Sequence, residues 1–305
     1  MANFKSIYLV ITLLSLSLYS HYSHSRDLEE IKKSGVLRHI GIPYANFINI
    51  YRGGETPIIT GLDVELMKGF AKKLGLKYQF VEATWHNSMI LLTGYNAHFV
   101  NEVVVKGHVQ HEIKGDLLAA GTTILPWRKE VVDFSTAYFP SAVWLMARSD
   151  SSLSPITPSG SIKQDIQIVK SLLQGRKVLA MKQTCLDPDL YDLYNTGAKI
   201  ILPVSERKLS EMIPAILNND AELTLLDVTD ILIALEKWPG KIKVIGPISE
   251  DQEMGVMFRK DSPNLRKAFN MYLQEIQDSG EYYSLIKKYY PSVFHFYPSF
   301  FNEKP

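Results

Sequence analysis

The sequence predicts an α/β fold divided into two lobes, because apolar strands and amphipathic helices alternate along most of the chain. A serine- and proline-rich segment, residues 149–161, interrupts this alternation near the middle, as a connection between lobes would. The chain has 305 residues. Without a leader of about 25 residues, roughly 280 remain, which is enough for two lobes with separate hydrophobic cores.

Residues 1–25 have the pattern of a secretory signal peptide. Lys5 provides the positive charge, the run from Ile7 to Leu18 is apolar, and small residues precede Arg26. The apolar run is short and interrupted by serine, which disfavours a membrane-spanning helix and leaves an uncleaved anchor as the alternative. We therefore expect a periplasmic protein whose mature chain begins near Arg26.

The first predicted lobe opens with a strand, a helix and a second strand, an order that favours a parallel sheet. A short helix ended by Gly35 precedes the first strand, Val36 to Ile42. The segment from Gly61 to Gly75 has one apolar stripe at helical spacing, and Lys77 to Val81 is the next strand.

Residues 86–114 are less regular, and only Val103 to Val105 has the composition of a strand. His108 and His111 would suit a metal ion, but two histidines without a third ligand are more typical of surface residues. We expect neither a metal nor another cofactor.

The chain beyond residue 161 repeats the alternation and predicts a second α/β lobe. Its predicted elements are the helix Ile166 to Leu173, the strand Lys177 to Met181, the helix Asp187 to Tyr194, the strand Ile200 to Leu202, the helix Ser205 to Asn218, the strand Leu223 to Leu226, the helix Val228 to Lys237 and the strand Ile242 to Ile245. A strand from Met254 to Lys260 and a helix capped by Ser262 and ended by Gly280 follow. We expect the aromatic tail, Phe294 to Phe301, to pack against a lobe.

Composition excludes several classes of partner. Lysine plus arginine number 33 and aspartate plus glutamate 32, so no basic excess is available for nucleic acid or for an anionic membrane. Cys185 is the only cysteine, which excludes an intramolecular disulfide. Recognition must therefore take place at a local site.

The strongest candidate for such a site lies between residues 115 and 128. Its apolar run ends at Gly121, where a ligand could approach the backbone closely, and Thr123 and Arg128 follow. Arg128 offers a planar, permanently charged fork that matches a carboxylate. The segment therefore predicts a carboxylate-binding loop.

In four elements, taken in order, the chain resembles the bacterial extracellular solute-binding proteins of family 3, the polar amino-acid binding type. The elements are Leu28 to Leu37, Gly61 to Leu66, Ala120 to Arg128 with Asp133 to Ser135 and Tyr138, and Gly255 to Lys260 leading into Leu265 to Tyr283. The resemblance implies a two-lobed periplasmic-binding-protein-like fold of type II, in which each lobe is a central sheet flanked by helices and two hinge strands join the lobes. It also implies lobe 1 from residues 26–142 and 250–305, and lobe 2 from residues 143–249.

The same resemblance implies that both lobes and an aromatic wall contact the ligand. The carboxylate clamp falls on Gly121, Thr123 and Arg128, the second-lobe contacts fall on Thr184 and Asp227, and the aromatic wall falls on Trp85 with Tyr44 or Phe47. Asp227 would pair with the ligand's ammonium group. Thr184 would lie at a helix start, where free amides favour an anion.

Three of these residues have purely structural alternatives. Arg128 could pair only with a surface acid, Glu130 or Asp133. Asp227 could serve as the N-cap of the helix that follows it, and Trp85 could be an ordinary core residue.

The chain also departs from the family pattern. Gln183 stands where the family usually has glycine, Leu125 replaces a frequent threonine, and Trp127 replaces a frequent acid. The connection between Trp85 and Asp116 is longer than the compact family pattern. These departures leave the identity of the ligand open.

The leading functional hypothesis is a non-enzymatic, monomeric protein that delivers a small amino-acid-like ligand to a membrane permease of the ABC type. The lobes would close around the ligand like a hinge. A second hypothesis is a stand-alone sensory or peptidoglycan-fragment-binding module, because the chain also resembles the solute-binding module of membrane-bound lytic transglycosylase F and ends where that enzyme's catalytic domain would begin.

Two further hypotheses remain. A cyclohexadienyl-dehydratase-like enzyme on the same fold would need a general acid in the cleft, and only Asp227 is clearly placed there by the sequence. A protein that has lost ligand binding could serve as an interaction partner.

Overall fold

The computed structural model describes residues 26–100, 103–203 and 208–302. The predicted signal peptide, residues 1–25, lies outside this part of the chain. None of the helices in the described ranges has the length and apolar character needed to cross a membrane.

The described strands form two five-stranded sheets and three two-stranded ribbons. In chain order they are β1 Val36–Gly41, β2 Asn49–Tyr51, β3 Ile58–Thr60, β4 Lys77–Glu82, β5 Ala97–Val100, β6 Val103–Lys106, β7 Leu117–Leu118, β8 Asp133–Phe134, β9 Phe139–Ser141, β10 Val143–Arg148, β11 Lys177–Leu179, β12 Lys199–Ile201, β13 Leu223–Asp227, β14 Ile242–Pro247, β15 Gln252–Met254 and β16 Met257–Phe258.

The helices flank these sheets. The α-helices are Leu28–Ser34, Leu62–Lys73, Ser88–Thr93, Pro126–Val131, Ile162–Ser171, Met212–Leu217, Val228–Lys237, Pro263–Asp278, Glu281–Tyr289, Val293–Phe296 and Pro298–Asn302. Short 3-10 helices span Pro188–Tyr191, Leu193–Thr196 and Leu209–Glu211.

The first sheet has the order β4-β1-β7-β16-β8. β1 runs parallel to β4 and β7, as the strand–helix–strand order predicts, whereas β16 is antiparallel to β7 and β8. Because β16 comes from the far end of the chain, both ends of the sequence build this lobe. Rings of the helices Leu62–Lys73 and Pro263–Asp278 meet beside this sheet, with Phe70 and Phe269 5.3 Å apart.

The second sheet has the order β12-β11-β13-β10-β14. β11 is parallel to β12 and β13, and β10 is antiparallel to β13 and β14. Every residue of β13 is buried, which is the pattern of a strand covered on both faces and explains its continuous apolar run.

Two strands connect the lobes and pair with each other. β9 is antiparallel to β15, with Ser141 opposite Gln252 and Phe139 opposite Met254. β9 leads directly into β10 of the second sheet, and β15 lies between β14 of the second sheet and β16 of the first. The predicted two-lobed α/β fold with hinge strands is therefore confirmed, while the residue limits given above for the lobes stay a prediction.

Several predicted elements differ from the structure. Of the helix predicted from Ser205 to Asn218, residues 205–207 lie outside the described part of the chain, and the rest begins as the 3-10 helix Leu209–Glu211 before the α-helix Met212–Leu217. The segment Asp187 to Tyr194 forms two short 3-10 helices instead of an α-helix, because Asp192 adopts a left-handed φ of 53° between them. The strand predicted from Met254 to Lys260 is two strands in different sheets. The helix predicted from Ile166 begins at Ile162, where the Ser161 hydroxyl accepts a hydrogen bond from Gln164 N.

The helix Pro263–Asp278 is capped by a distant residue rather than by Ser262. The Asp27 carboxylate accepts hydrogen bonds from Asn264 N at 3.2 Å and Leu265 N at 2.8 Å. A carboxylate at a helix start also complements the helix dipole. The contact ties the start of the described chain to its last long helix.

The irregular region and the aromatic tail both pack against the body of the protein. Residues 86–114 contain the helix Ser88–Thr93 and the β5–β6 hairpin, whose Phe99 stacks on Trp127 with ring centroids 6.3 Å apart. His108 and His111 are exposed, and no metal-binding cluster of acidic, histidine or cysteine residues occurs among the described residues. Phe301 packs against the ring of Phe139, so the tail contacts the protein body as predicted.

Candidate functional site

The predicted site residues lie where strands of both sheets end. β7 leads toward Gly121, β11 leads toward Thr184, and β13 ends at Asp227. Ligands of open α/β folds bind at the carboxyl ends of parallel strands, since the backbone groups leaving the sheet have no strand partner there. The two lobes present these ends to one shared cleft.

The loop around Gly121 in the first lobe packs against Phe47 and forms a hydrogen bond with Asp63. Gly121 has a left-handed φ of 58°, and a Cβ there would lie 2.4 Å from the Phe47 ring. The Gly121 amide donates to Asp63 Oδ2 at 2.7 Å, and the Tyr138 hydroxyl donates to the same oxygen at 2.8 Å. Gly121 therefore permits a close approach of Phe47 and has no amide proton left for a ligand. Phe47 itself is fully buried beneath the loop and does not line the cleft.

Asp63 should make stability depend on pH. Burial raises the pKa of Asp63 from 3.8 to about 7. Between these values the folded protein binds the proton more tightly than the unfolded chain, so stability falls as pH rises, by up to ~1.4 kcal/mol per pH unit. We expect Asp63→Asn to remove this contribution. Chemical denaturation of the wild type and the variant at pH 4.5 and 7.5 measures this contribution. If the two proteins differ in free energy of unfolding by the same amount at both pH values, the pKa of Asp63 is not raised by folding.

Arg128 is a buried cation that bridges the lobes. Its Nη1 donates to Thr123 O at 2.9 Å, and its Nη2 reaches Gln183 O of the second lobe at 3.4 Å. The side chain is only 3% exposed, and burial lowers its pKa. Asp133 pairs instead with Arg266, at 3.6 Å. Within the described residues, no carboxylate forms an ion pair with Arg128, so the surface-pair alternative is wrong.

The second-lobe turn uses its polar groups internally. The Thr184 hydroxyl donates to Met181 O at 2.9 Å and accepts from Leu186 N at 3.0 Å. The Asp187 carboxylate accepts from Gln183 N at 2.9 Å. Since no α-helix begins here, the expected helix-dipole contribution at Thr184 is absent, and its hydroxyl is already bonded within the turn.

The backbone at Gln183 has a conformation that favours glycine. Its φ of 63° is left-handed, a conformation that costs a residue with a Cβ roughly 1 kcal/mol. We expect Gln183→Gly to leave stability unchanged or higher, and Gln183→Val to lower the free energy of unfolding by about 1–2 kcal/mol. Urea denaturation measures both. Equal stability of the two variants would contradict the left-handed geometry.

Asp227 is both an N-cap and a cleft residue. Its Oδ1 accepts from the amide and the hydroxyl of Thr229, each at 3.1 Å, at the start of the helix Val228–Lys237. Its Oδ2 accepts from Ser141 Oγ of the hinge strand β9 at 2.6 Å and from Cys185 Sγ at 3.6 Å. Burial raises the pKa of Asp227. The capping alternative is thus realised, the second oxygen contacts the hinge strand, and the predicted contact with a ligand's ammonium group stays a prediction.

Cys185 lies between the predicted site residues of the first lobe and those of the second lobe. Its thiol contacts Asp227 of the second lobe, and the hydroxyl of Thr123 in the first lobe also interacts with it. Burial raises the pKa of Cys185 well above its usual range, so the thiol keeps its proton. The residue acts here as a small buried group at the centre of the cleft.

Tyr44 and Trp85 form the aromatic wall. Their rings meet edge to face with centroids 5.6 Å apart. The Tyr44 hydroxyl donates to Thr229 Oγ1 at 2.9 Å, which joins the first lobe to the helix that Asp227 caps. Trp85 is half-buried and lines the remaining cavity together with Arg128 and Gln183. Trp85 therefore lies at the edge of the core, where it packs against buried residues and also lines this cavity.

The cleft is closed in this structure. The space left between Trp85, Arg128 and Gln183 is ≈ 20 Å³. That volume holds about one water molecule and is far smaller than an amino acid. An amino acid therefore does not fit between these three side chains in this structure.

The structure brings together most of the predicted residues and adds others. Thr123, Arg128, Asp227, Tyr44 and Trp85 converge on the closed cleft, whereas Phe47 and Thr184 serve the packing around it. Sequence reasoning missed Asp63, Ser141 and Asp230, which contact these residues. Asp230 follows Asp227 at a spacing that places both on one face of a helix, and this spacing is the signal that could have identified it.

Comparison with known proteins agrees with this architecture. The family model described as bacterial extracellular solute-binding proteins, family 3, matches residues 43–292. Membrane-bound lytic murein transglycosylase F of Desulfosudis oleivorans is 23% identical over 288 residues, which cover 93% of this chain and 56% of the relative. The chain thus spans about half the length of the transglycosylase relatives it matches.

Two further similar proteins are shorter. The arginine-binding extracellular protein ArtP of Bacillus subtilis is 26% identical over 241 residues, which cover 78% of this chain and 80% of ArtP. Among solved structures, a variant of ArgBP from T. maritima superimposes with a TM-score of 0.67 at 25% identity, covering 86% of this chain and 98% of that one.

Proposed function

The chain belongs to the bacterial extracellular solute-binding proteins of family 3, and from this premise we propose that it captures a small amino-acid-like ligand between its two lobes. In this proposal the protein works outside the cytoplasm as a monomer, after removal of the signal peptide, and hands its ligand to an ABC-type permease. The arginine-binding function of ArtP supports the class of ligand.

The observation that carries the proposal is the unpaired charge of Arg128. A guanidinium that is 3% exposed, that lies over the Trp127 ring and that donates hydrogen bonds only to peptide carbonyls within the described residues lacks the counter-charge that buried cations normally have. A ligand carboxylate would supply it, with two parallel hydrogen bonds from the guanidinium fork. Thr123 lies next to this position, and Asp227 would accept the ligand's ammonium group across the cleft.

Lobe separation would open the site. Arg128 to Gln183 and Tyr44 to Thr229 are contacts between the lobes that must break for entry and reform around the ligand. Cys185 would move away from Thr123 in the same step. Ligand binding would then stabilise the closed form in proportion to its contacts with both lobes.

The test is thermal unfolding of residues 26–305 against amino acids, small carboxylates and muropeptides, with Arg128→Ala in parallel. A ligand present at a hundredfold excess over its dissociation constant should add about 2.7 kcal/mol of stability. A shift with one class of compound that disappears in the variant supports the proposal. Identical melting of both proteins with every compound would contradict it.

Peptidoglycan-fragment sensing is the second candidate, because the transglycosylase F relative aligns with 93% of this chain. The peptide stems of muropeptides carry the same carboxylate and ammonium groups that Arg128 and Asp227 would bind. Muropeptide-specific stabilisation in the same experiment would favour this candidate over amino-acid transport.

We propose that the protein is not an enzyme. Asp227 already accepts hydrogen bonds from Ser141, Cys185 and Thr229, which leaves it poorly suited to donate a proton. Prephenate and arogenate belong in the compound panel as controls, and their conversion by the wild-type protein would overturn the non-enzymatic assignment in favour of a dehydratase.

A further inference from the structure

We propose that Asp230 makes the cleft selective for a ligand that carries a second positive charge, that is, for a basic amino acid. This inference rests on the proposed function, since it concerns the same cleft. It assigns Asp230 the role of a specificity-determining residue.

Asp230 faces the first lobe from the first turn of the helix Val228–Lys237. Its carboxyl interacts with the Tyr44 hydroxyl and acts electrostatically on Cys185 and Tyr290. Asp230 Oδ2 is excluded from solvent, and no hydrogen-bond partner for it lies among the described residues. A buried carboxylate oxygen without a donor is costly unless something binds it.

The charges of the cleft do not balance without a ligand. Arg128 contributes one positive charge, and Asp227 and Asp230 contribute two carboxyls, none of which has an oppositely charged partner in the described parts of the chain. Asp63 also has a buried oxygen, Oδ1, without a hydrogen-bond partner among the described residues, but it lies inside the first lobe, where Gly121 and Tyr138 donate to its other oxygen. The cleft therefore offers one cationic group, Arg128, and two carboxyl groups, Asp227 and Asp230.

A neutral amino acid would satisfy only part of this arrangement. Its carboxylate would pair with Arg128 and its ammonium with Asp227, which leaves the buried Oδ2 of Asp230 without a partner. A basic amino acid adds a cation at the end of an apolar stem. The stem would lie against Tyr44 and Trp85, whose rings are in contact beside Asp230, and the cation would pair with the free carboxylate.

The inference has a second consequence, the release of a proton when a basic ligand binds. Burial and the neighbouring Asp227 raise the pKa of Asp230 well above its usual range, which favours the protonated form of this carboxyl while the cleft is empty. A ligand cation placed against Asp230 favours the ionised form of this carboxyl. Binding of a basic ligand should therefore release a proton, and binding of a neutral ligand should release none from this group.

The experiment compares arginine with citrulline, which has nearly the same shape but a neutral side chain, by isothermal titration calorimetry on residues 26–305. We expect the wild type to bind arginine at least about tenfold more tightly than citrulline. Asp230→Asn should lose this preference while it keeps its affinity for citrulline. Titrations in buffers of different ionisation enthalpy should show proton release for arginine with the wild type and a smaller release with the variant.

Glu236→Gln is the matched control, because Glu236 lies on the same helix and is exposed. It removes one negative charge from the lobe without touching the cleft, and it should keep the wild-type preference. Equal affinities of the wild type for the two ligands, or an unchanged preference in Asp230→Asn, would overturn the inference while leaving the proposed function intact. Absence of binding by any amino acid, with Arg128→Ala indistinguishable from the wild type, would defeat the proposed function and the inference together.

Discussion

Arg128→Ala is expected to lower ligand affinity by about 100-fold or more while leaving the ligand-free protein at least as stable as the wild type. The two effects have one cause. The guanidinium is buried between Thr123 O and Gln183 O, and no acid among the described residues pairs with it. Its desolvation therefore lowers the stability of the ligand-free protein, and a ligand carboxylate would supply the missing negative charge. Titration calorimetry gives the affinity, and chemical denaturation without ligand gives the stability.

Two further variants separate charge from geometry. Arg128→Lys keeps the positive charge but loses the two-pronged fork, so we expect an affinity between those of the wild type and Arg128→Ala. Arg266→Ala removes an arginine that pairs with Asp133 outside the cleft, and its affinity should equal that of the wild type. A large loss of stability in Arg128→Ala, with ligand affinity preserved, would show that the residue only supports the fold.

The overall fold was predictable because its signals are local. The apolar stripe between Gly61 and Gly75 predicts the helix Leu62–Lys73, and the continuous apolar run from Leu223 predicts a fully buried strand. Elements stabilised by distant residues were not predictable in the same way. The cap supplied by Asp27 to the helix Pro263–Asp278 joins positions far apart in sequence, and no pattern near Ser262 indicates it.

The candidate site was predictable only in part. Gly121, Thr123 and Arg128 stand out because they interrupt an apolar run close together in sequence. Asp63 lies in the first turn of the helix Leu62–Lys73, where an acid is common, so its position in the sequence does not indicate its hydrogen bond to Gly121. Cys185 is a small buried residue whose position between the lobes follows from the fold rather than from neighbouring residues.

The left-handed residues show where sequence propensity gives way to tertiary structure. Gln183 and Asp192 both adopt positive φ values, and their side chains predict helix or turn equally well. At Gln183 the conformation directs the carbonyl oxygen to Arg128 across the cleft. The hydrogen bond and the burial of the turn stabilise a backbone that the local sequence disfavours.

Asp227→Asn and Asp227→Ala should separate the two roles of this side chain. Asparagine keeps an oxygen for the Thr229 amide, so we expect nearly wild-type stability. It removes the charge that would pair with the ligand's ammonium, so affinity for amino acids should fall by about 100-fold. Alanine removes the cap as well and leaves the Ser141 and Thr229 hydroxyls without their acceptor, which should lower the free energy of unfolding by about 2 kcal/mol or more.

The comparison is informative because both variants remove the charge and only one removes the cap. Urea denaturation of the ligand-free proteins measures the cap, and calorimetric titration of the wild type and Asp227→Asn measures the charge. If Asp227→Asn binds amino acids as tightly as the wild type, Asp227 is a structural N-cap and the ammonium of the ligand lies elsewhere. If it loses affinity at unchanged stability, one side chain starts the helix Val228–Lys237 and binds the ligand, and the position of the helix is coupled to occupancy of the cleft.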